Sequence, residues 1–586
     1  MGRLQGREEH FNLRDLDRQA IRMLGKYLRP YKGRLLLAAL AMLAVTAASL
    51  GMPYLSKVAI DRYIAQGDMR GLALISLLYL GLNGIYWLGA YWQGYLSGWV
   101  GQHVVYAMRR DLFQHVLRQS KRFHEGEPVG QIVSRLTHDV NTLSEAVSGG
   151  ILNLVNDLLT LTGIVVVMLM FHVRLTLVTM TAVPVVLLSM GYLGKKMRLA
   201  YRQVQQEFAA VNAGVEQSVS GMRVVQSLSK ESFTVEQFES LSLRNVKANL
   251  RVSLLFAAVF PTMTITNMLG TALVLGYGGT LVAHNIITLG VLLAFLRYVD
   301  RFFGPLRELS LVYNTFQAAA ASLDRIADYM NRRPEVTESA HPERPPKGFE
   351  GEVAFEGVTF GYGEGAVLHD LNVHLRAGKT VALVGPTGAG KSTFAGLLAR
   401  LYDVQEGKIT LDGVDLRRIS FPNLRQTVMM VPQDVFLFSQ SIRENIRYGR
   451  PQATDTEVEQ AAKQAQAHAF IEKLPEGYDS PVGEGGALLS GGQKQLIAFA
   501  RALLTNPKIL ILDEATANID AYTEALIQQA MDEIRRNRTT LIIAHRFSTL
   551  RKADQIIVLE DGRIVGQGLH EDLVEHNRTY QRLYRR

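Results

Sequence analysis

Gly385-Pro386-Thr387-Gly388-Ala389-Gly390-Lys391-Ser392-Thr393 is a run whose residue types and spacing suit a phosphate chain. Glycines at 385, 388 and 390 let backbone N–H groups close around the anion, Lys391 brings a point charge to the outer phosphates, and Ser392 offers a hydroxyl to Mg2+. The run follows a strand-like stretch, Thr380 to Val384, and opens a helix-like one, Ser392 to Leu401, so a helix N-terminus adds its favourable field. Three further groups lie downstream: Leu489-Ser490-Gly491-Gly492-Gln493, the apolar run Ile509 to Leu512 ending in Asp513-Glu514, and Ala544-His545. Splitting a nucleoside triphosphate needs a metal ion, an oriented water and positive charge opposite the γ-phosphoryl group. This stretch holds a candidate for each.

With the Leu-Ser-Gly-Gly-Gln run beside the phosphate loop, the chain from about Gly351 to its C-terminus resembles the ATP-binding-cassette (ABC) ATPases. The resemblance implies ATP and Mg2+ as cofactors. It implies that Asp513 holds Mg2+ through water, that Glu514 is the general base, and that His545 contacts the γ-phosphate. Gln433, in Val431-Pro432-Gln433-Asp434, matches the residue that joins the metal site to the helical subdomain. Tyr362, in Phe360-Gly361-Tyr362, matches the aromatic that stacks on adenine, and Thr393 completes the loop's nucleotide contacts. In this family two nucleotides are sandwiched head-to-tail between two domains. Ser490, Gly492 and Gln493 are therefore expected at the γ-phosphate held by the other half, with Asp520 in the loop that crosses the interface. Two positions depart from the pattern: Gly485 stands where the family commonly has Arg, and Leu496, in Gln495-Leu496-Ile497-Ala498, stands where many homodimeric exporters have Arg.

The elements that must carry these groups are unevenly composed. Apolar stretches at about 35–57, 72–98, 149–171, 175–194, 254–281 and 286–304 each come near or exceed the ~20 residues a helix needs to cross ~30 Å of hydrocarbon. The second half of the chain has none. An even number of spans puts both termini on one side, and the nucleotide site has to face cytosolic ATP. Nine Lys/Arg residues precede Leu35, whereas the proposed outer loops hold only Arg62, Arg70 and Arg174, the asymmetry expected with the N-terminus inside. Much of the basic excess behind the net charge of +9 flanks membrane spans, where it serves topology and anionic lipid contact rather than nucleic acid. No secretory signal is visible in the charged first ~34 residues. With no cysteine in the chain, disulfides and thiol chemistry are excluded.

Residues 1–34 read as an amphipathic entry segment, with Leu13 to Tyr31 lying along the inner surface. Residues 35–330 form a helical membrane domain, 331–350 a Pro- and charge-rich linker and 351–586 an α/β nucleotide-binding domain. Between spans two and three, and between spans four and five, polar segments with helical patterning read as hairpin arms of ~24 residues per limb, reaching ~35 Å into the cytosol. Their tips are expected near 123–130 and 218–224. Six spans followed by one such ATPase domain resemble an ABC half-transporter of the exporter type. That resemblance implies a cytoplasmic-membrane protein with both termini and the ATPase domain cytosolic, working as a dimer of halves by alternating access. The Gln495-Leu496-Ile497-Ala498 continuation resembles the catalytic-glutamate subunit of bacterial heterodimeric multidrug exporters. It favours a heterodimer, although the intact ATP-site set leaves a homodimer open.

The spans contain few ionisable residues. Arg297, Asp300 and Arg301 read as an inner-leaflet end of span six with an Asp–Arg pair. Pro261, Thr262, Thr264, Thr266 and Asn267 form a polar stripe on span five that lines a cavity or bonds between helices. Trp87, Trp92 and Trp99 fall in span two among tyrosines, as an aromatic belt would. An apolar path with few fixed charges favours export of amphipathic or lipophilic small molecules. Alternatives are a lipid flippase or a peptide exporter, and less readily a siderophore importer or an ATP-gated channel. The short N-terminal segment leaves no room for a leader-processing protease.

Overall fold

The computed structural model describes residues 18–343, 349–363, 365–513, 521–544 and 550–584. It divides into two units. One comprises the described residues up to Val116 together with Gly130–Arg332; the other comprises Leu117–Val129 together with the described residues from Arg333 onward.

Six long helices build the first unit: α1 (Lys32–Val58), α2 (Met69–Leu117), α3 (Ile151–Phe171), α4 (Ala182–Ser220), α5 (Glu231–Leu273) and α6 (Leu289–Asn331). Among the described residues, five helical stretches are long and apolar enough to cross a membrane: Arg22–Ile64, Met69–Leu117, Val129–Phe171, Val173–Ser220 and Glu231–Ala283. The sixth expected span lies in α6, which has the length, but Arg297, Asp300 and Arg301 break its apolar run.

Several spans continue unbroken into their polar arms. At 1.5 Å per residue the 49 residues of α2 extend about 74 Å, with no proline to interrupt them. A Cβ on Gly101 would stand 2.8 Å from Ser148 Cβ, so this small residue lets the returning limb of the first arm pack tightly against α2. In the second arm, α4 and α5 are tied by Arg244–Glu207 at 3.5 Å and by Arg251 donating to Gln203 at 3.0 Å. A short helix, Met222–Ser227, forms its turn, with Arg223 exposed.

The core of the unit gathers on α6. Phe295, Tyr298 and Val299 pack with Ile164 and Met168 of α3 and with Leu175 and Val274. Tyr298 donates to the carbonyl of Leu50 at 2.6 Å, and Thr288 Oγ1 and the Gly290 N–H donate to the Asp61 carboxylate at 2.5 and 2.9 Å, pinning the start of α6 to the end of α1. Lower down, Asp139 is only 1% exposed. It accepts from Ser322 at 2.9 Å and from Arg135 at 2.9 Å, and Arg325 closes on both its oxygens. A buried carboxylate needs such partners, since an unpaired charge away from water is unfavourable by several kcal/mol.

The second unit holds two sheets. A four-stranded antiparallel sheet has the order β2-β1-β4-β5, from β1 (Val353–Phe360), β2 (Leu368–Leu375), β4 (Glu406–Leu411) and β5 (Val414–Asp415). A six-stranded sheet has the order β10-β9-β3-β8-β7-β6, from β3 (Thr380–Val384), β6 (Val428–Val431), β7 (Ile509–Asp513), β8 (Thr539–Ile543), β9 (Gln555–Glu560) and β10 (Arg563–Gly568). All neighbours from β9 to β6 are parallel, and β3, β7, β8 and β9 read as short apolar runs because both faces are covered. α7 (Lys391–Leu398), α8 (Gly491–Thr505) and α9 (Ala521–Ile534) complete the site-bearing frame. The linker is pinned to this unit: Glu343 N–H donates to the Arg418 carbonyl at 2.6 Å, and Arg400 donates to Thr337 at 2.8 Å.

Candidate functional site

Strand register decides which residues meet. Leu383 of β3 lies opposite Ile543 of β8, Ile543 lies opposite Asp513 of β7, and Leu512 lies opposite Val431 of β6. The carboxyl ends of four parallel strands therefore deliver, at one level, the phosphate loop after Val384, Ala544, Asp513, and the turn with Gln433. Ligands bind at such strand ends in open α/β sheets. Glu514, Asp520 and His545 lie outside the described residues, so their expected roles carry no geometry here.

The loop from Gly385 to Gly390 is shaped by positions only glycine fills. Gly388 and Gly390 have φ of 86° and 101°. A Cβ on Gly385 would stand 2.1 Å from the carbonyl oxygen of Leu559, and one on Gly390 would stand 2.6 Å from Leu368 Cδ2. Lys391 Nζ donates to the carbonyls of Gly385 and Pro386 at 2.8 and 2.9 Å. Burial lowers the Lys391 pKa, and the charge of Asp513 works in the opposite direction, which places the two groups within electrostatic reach. This is a cradle that fits a phosphate chain.

Ser392 is exposed beside it, Gln433 is exposed on the turn after β6, and Asp513 closes β7 half-buried. Hydroxyl, amide and carboxylate oxygens are the donor set a hard divalent cation takes, so these residues fit Mg2+.

Thr393, by contrast, is buried, and its hydroxyl shares a hydrogen bond of 3.0 Å with that of Tyr362. The Tyr362 ring is 38% exposed and meets Phe360 and Tyr402 edge-on at 5.2 and 5.3 Å. An anchored, partly open aromatic next to the phosphate loop is available for stacking on a base.

The signature run is a helix start. Ser490 caps α8, accepting from Gln493 N–H at 3.3 Å while Gln493 Oε1 accepts from Ser490 N–H at 2.9 Å. This reciprocal box leaves Ser490 exposed and Gly492 buried. Gly485 has φ 57°, a left-handed conformation in which Arg would be strained, and its carbonyl accepts from Lys494 of α8 at 3.1 Å. Leu496 is 1% exposed in the core of the unit. Its apolar character fits that packing.

The sequence reading missed Tyr402, which carries no motif. Tyr402 donates to Glu125 at 2.9 Å, with Lys121 paired to Glu125 at 3.3 Å. Burial, reinforced by the Glu125 hydrogen bond, pushes its hydroxyl pKa up. Arg122 donates to the Tyr362 carbonyl at 2.5 Å and pairs with Glu335. The tip of the first arm, Lys121–Gly126, thus touches the backbone of the candidate base-stacking residue.

Membrane-length helices joined to a phosphate-binding parallel sheet with a capped signature helix define a membrane transporter driven by ATP. Comparison with known proteins agrees. The family described as ABC transporter transmembrane region matches residues 35–306, and the family described as ABC transporter matches residues 368–517. A putative multidrug export ATP-binding/permease protein, YgaD, of Bacillus subtilis is 35% identical over 95% of this chain and 98% of its own length. An ATP-dependent lipid A-core flippase of Desulfotalea psychrophila is 34% identical over 97% of this chain and 99% of its own. A solved structure of a bacterial Atm1-family ABC exporter with ATP bound matches with a TM-score of 0.78 and 30% identity, over 95% of this chain and 99% of that one. The chain belongs to the ABC transporter family, as an exporter with fused membrane and ATP-binding domains.

Proposed function

We propose that the protein exports amphipathic or lipophilic small molecules across the cytoplasmic membrane, driven by ATP hydrolysis in a dimer of halves with the ATPase domains in the cytosol. The alignment of phosphate loop, Asp513 and Gln433 by parallel register, on a chain with membrane-length helices, carries this reading. Lys391 and the loop N–H groups bind the β/γ-phosphates, Tyr362 stacks on adenine, and Glu514 takes the proton of the attacking water. His545 contacts the γ-phosphate. Mg2+, when held by Ser392, Gln433 and, through water, Asp513, would neutralise charge on the phosphate oxygens. Ser490, Gly492 and Gln493, with Asp520, serve the nucleotide of the other half, so a single chain is catalytically incomplete. Movement of lipid from one leaflet to the other is the second reading, favoured by the resemblance to a lipid A-core flippase. The deciding experiment is reconstitution of the purified protein with labelled drug and with labelled lipid. ATP-dependent drug movement without lipid movement supports export, and the reverse supports a flippase. The mass of the purified complex, with Ser490→Ala compared against Glu514→Gln, separates a homodimer, crippled equally by either change, from a heterodimer.

A further inference from the structure

Counted along the expected spans, Asp300 sits well away from their inner edge. Three helices agree. It is 11 residues into α6, or about 17 Å from the outer end at Leu289. Its neighbour Arg301 donates to the Ser49 carbonyl at 2.5 Å, and Ser49 is 14 residues, about 21 Å, up a first span that starts near Leu35. Asn267, which donates to Asp300 Oδ1 at 3.2 Å, is 13 residues, about 20 Å, up a fifth span that starts near Leu254. The expected Asp–Arg pair does not form among the described residues. Arg301 is turned onto the carbonyl of Ser49 and the sulfur of Met52, and Arg297, one turn away on α6, makes no ion pair with Asp300 among the described residues.

The threonines of the polar stripe on α5 spend their hydroxyl protons on their own helix. Thr262, Thr264 and Thr266 each donate to the carbonyl four residues back on their own helix, at 2.7, 3.0 and 2.8 Å. The Asp300 carboxylate, the Asn267 amide and the Thr264 hydroxyl share a cavity of about 410 Å³ whose other walls include Phe260, Met263, Met268 and Phe303, and Asp300 is its one ionisable group. That volume suits a drug-sized ligand. An ionisable group at mid-bilayer almost always faces a bundle interior or a water-filled path and finds a partner there. A carboxylate with aromatic and sulfur-bearing walls selects an organic cation with apolar bulk, since both the charge and the π faces attract it.

We propose that Asp300, oriented by Asn267, is the charge-selecting group of a substrate subsite between α5 and α6 that takes monovalent lipophilic cations. The subsite rests on the export reading and names its substrate class; a carrier of lipid A-like or fatty acid-like anions would not place a lone acid there.

The test uses purified full-length protein in nanodiscs. Two probes of equal size and opposite charge, tetraphenylphosphonium and tetraphenylborate, are measured by equilibrium dialysis after subtraction of partitioning into empty nanodiscs. Wild type is expected to hold the phosphonium at least about tenfold more tightly than the borate. Asp300→Asn should lose that preference and Asp300→Glu should keep it, with folding verified by melting temperature. Equal affinity of wild type for the two probes, or an undiminished preference in Asp300→Asn, overturns the proposal. If Asp300→Asn does not fold, the wild-type comparison and Asp300→Glu still decide. ATP turnover measured on the same samples separates the two readings: a working ATPase with no cation preference refutes the subsite alone, and cation binding with no ATP turnover refutes the export reading.

Discussion

The strand ends of the nucleotide unit and the middle of α5 and α6 are both candidate binding regions, built in opposite ways. In the first, position is set by backbone: parallel register puts Leu383, Ile543 and Asp513 in one row, and glycines shape the loop. In the second, three polar side chains, Thr264, Asn267 and Asp300, stand among apolar helical walls. A site for a fixed, highly charged ligand can be made of main-chain N–H groups. A site for cargo has to be made of side chains, and few of them.

The sharpest way to break this contrast is at the chemical step. Glu514→Gln should lower ATP turnover by about 10²–10⁴-fold while ATP affinity stays, and steady-state kinetics with nucleotide-binding titration checks it. Near-normal turnover would mean that the strand-end frame does not supply the base.

Next comes the buried carboxylate that holds the arm to α6. Asp139→Ala leaves Arg135 and Arg325 without their acid and should destabilise the membrane unit by about 3–5 kcal/mol. The readout is a lower melting temperature in detergent with nucleotide affinity retained. Unchanged melting would show that the cluster is not a structural tie.

A smaller effect is expected where the first arm meets the nucleotide unit. Tyr402→Phe removes the bond to Glu125, about 1 kcal/mol. Stimulation of turnover by transported substrate, relative to the basal rate, should fall about fivefold. Full stimulation would remove this contact from the transmission route.

The legibility of the molecule follows the same division. Val384, Asp513 and the phosphate loop were readable because a short buried strand followed by glycines is a local pattern. Helix continuity was not: α2 runs through span and arm without a break, since polar and apolar helix share one geometry and only composition changes. That Arg301 turns to the Ser49 carbonyl and not to Asp300 was not legible, because sequence order does not show which way neighbouring side chains point. Tyr402 had no signal at all, as its partner Glu125 is 277 residues away. Gly485, a departure from the family pattern, is explained by its positive φ.

The smallest expected effect concerns the entry to β3. Asp554 accepts from the Thr380 N–H at 2.8 Å and from Lys379 at 3.0 Å. Burial would raise its pKa, but these bonds outweigh it and hold the carboxyl below its usual value of 3.8. A depressed carboxyl stabilises the fold above its unfolded pKa and loses that contribution as pH falls through the folded value. Asp554→Asn should therefore lower stability by about 1 kcal/mol at neutral pH, with the difference beginning to shrink near pH 4 and disappearing once the pH is below the depressed folded value. A gap that persists in acid would mean that the side chain acts by shape instead of charge.

The most direct measurement of the whole account is ATP-dependent uptake of a lipophilic cationic dye into inside-out vesicles carrying the protein. Accumulation that requires hydrolysable ATP and disappears in Glu514→Gln is the predicted result. Vigorous ATP turnover in the same vesicles with no ATP-dependent movement of any amphipathic probe would contradict it.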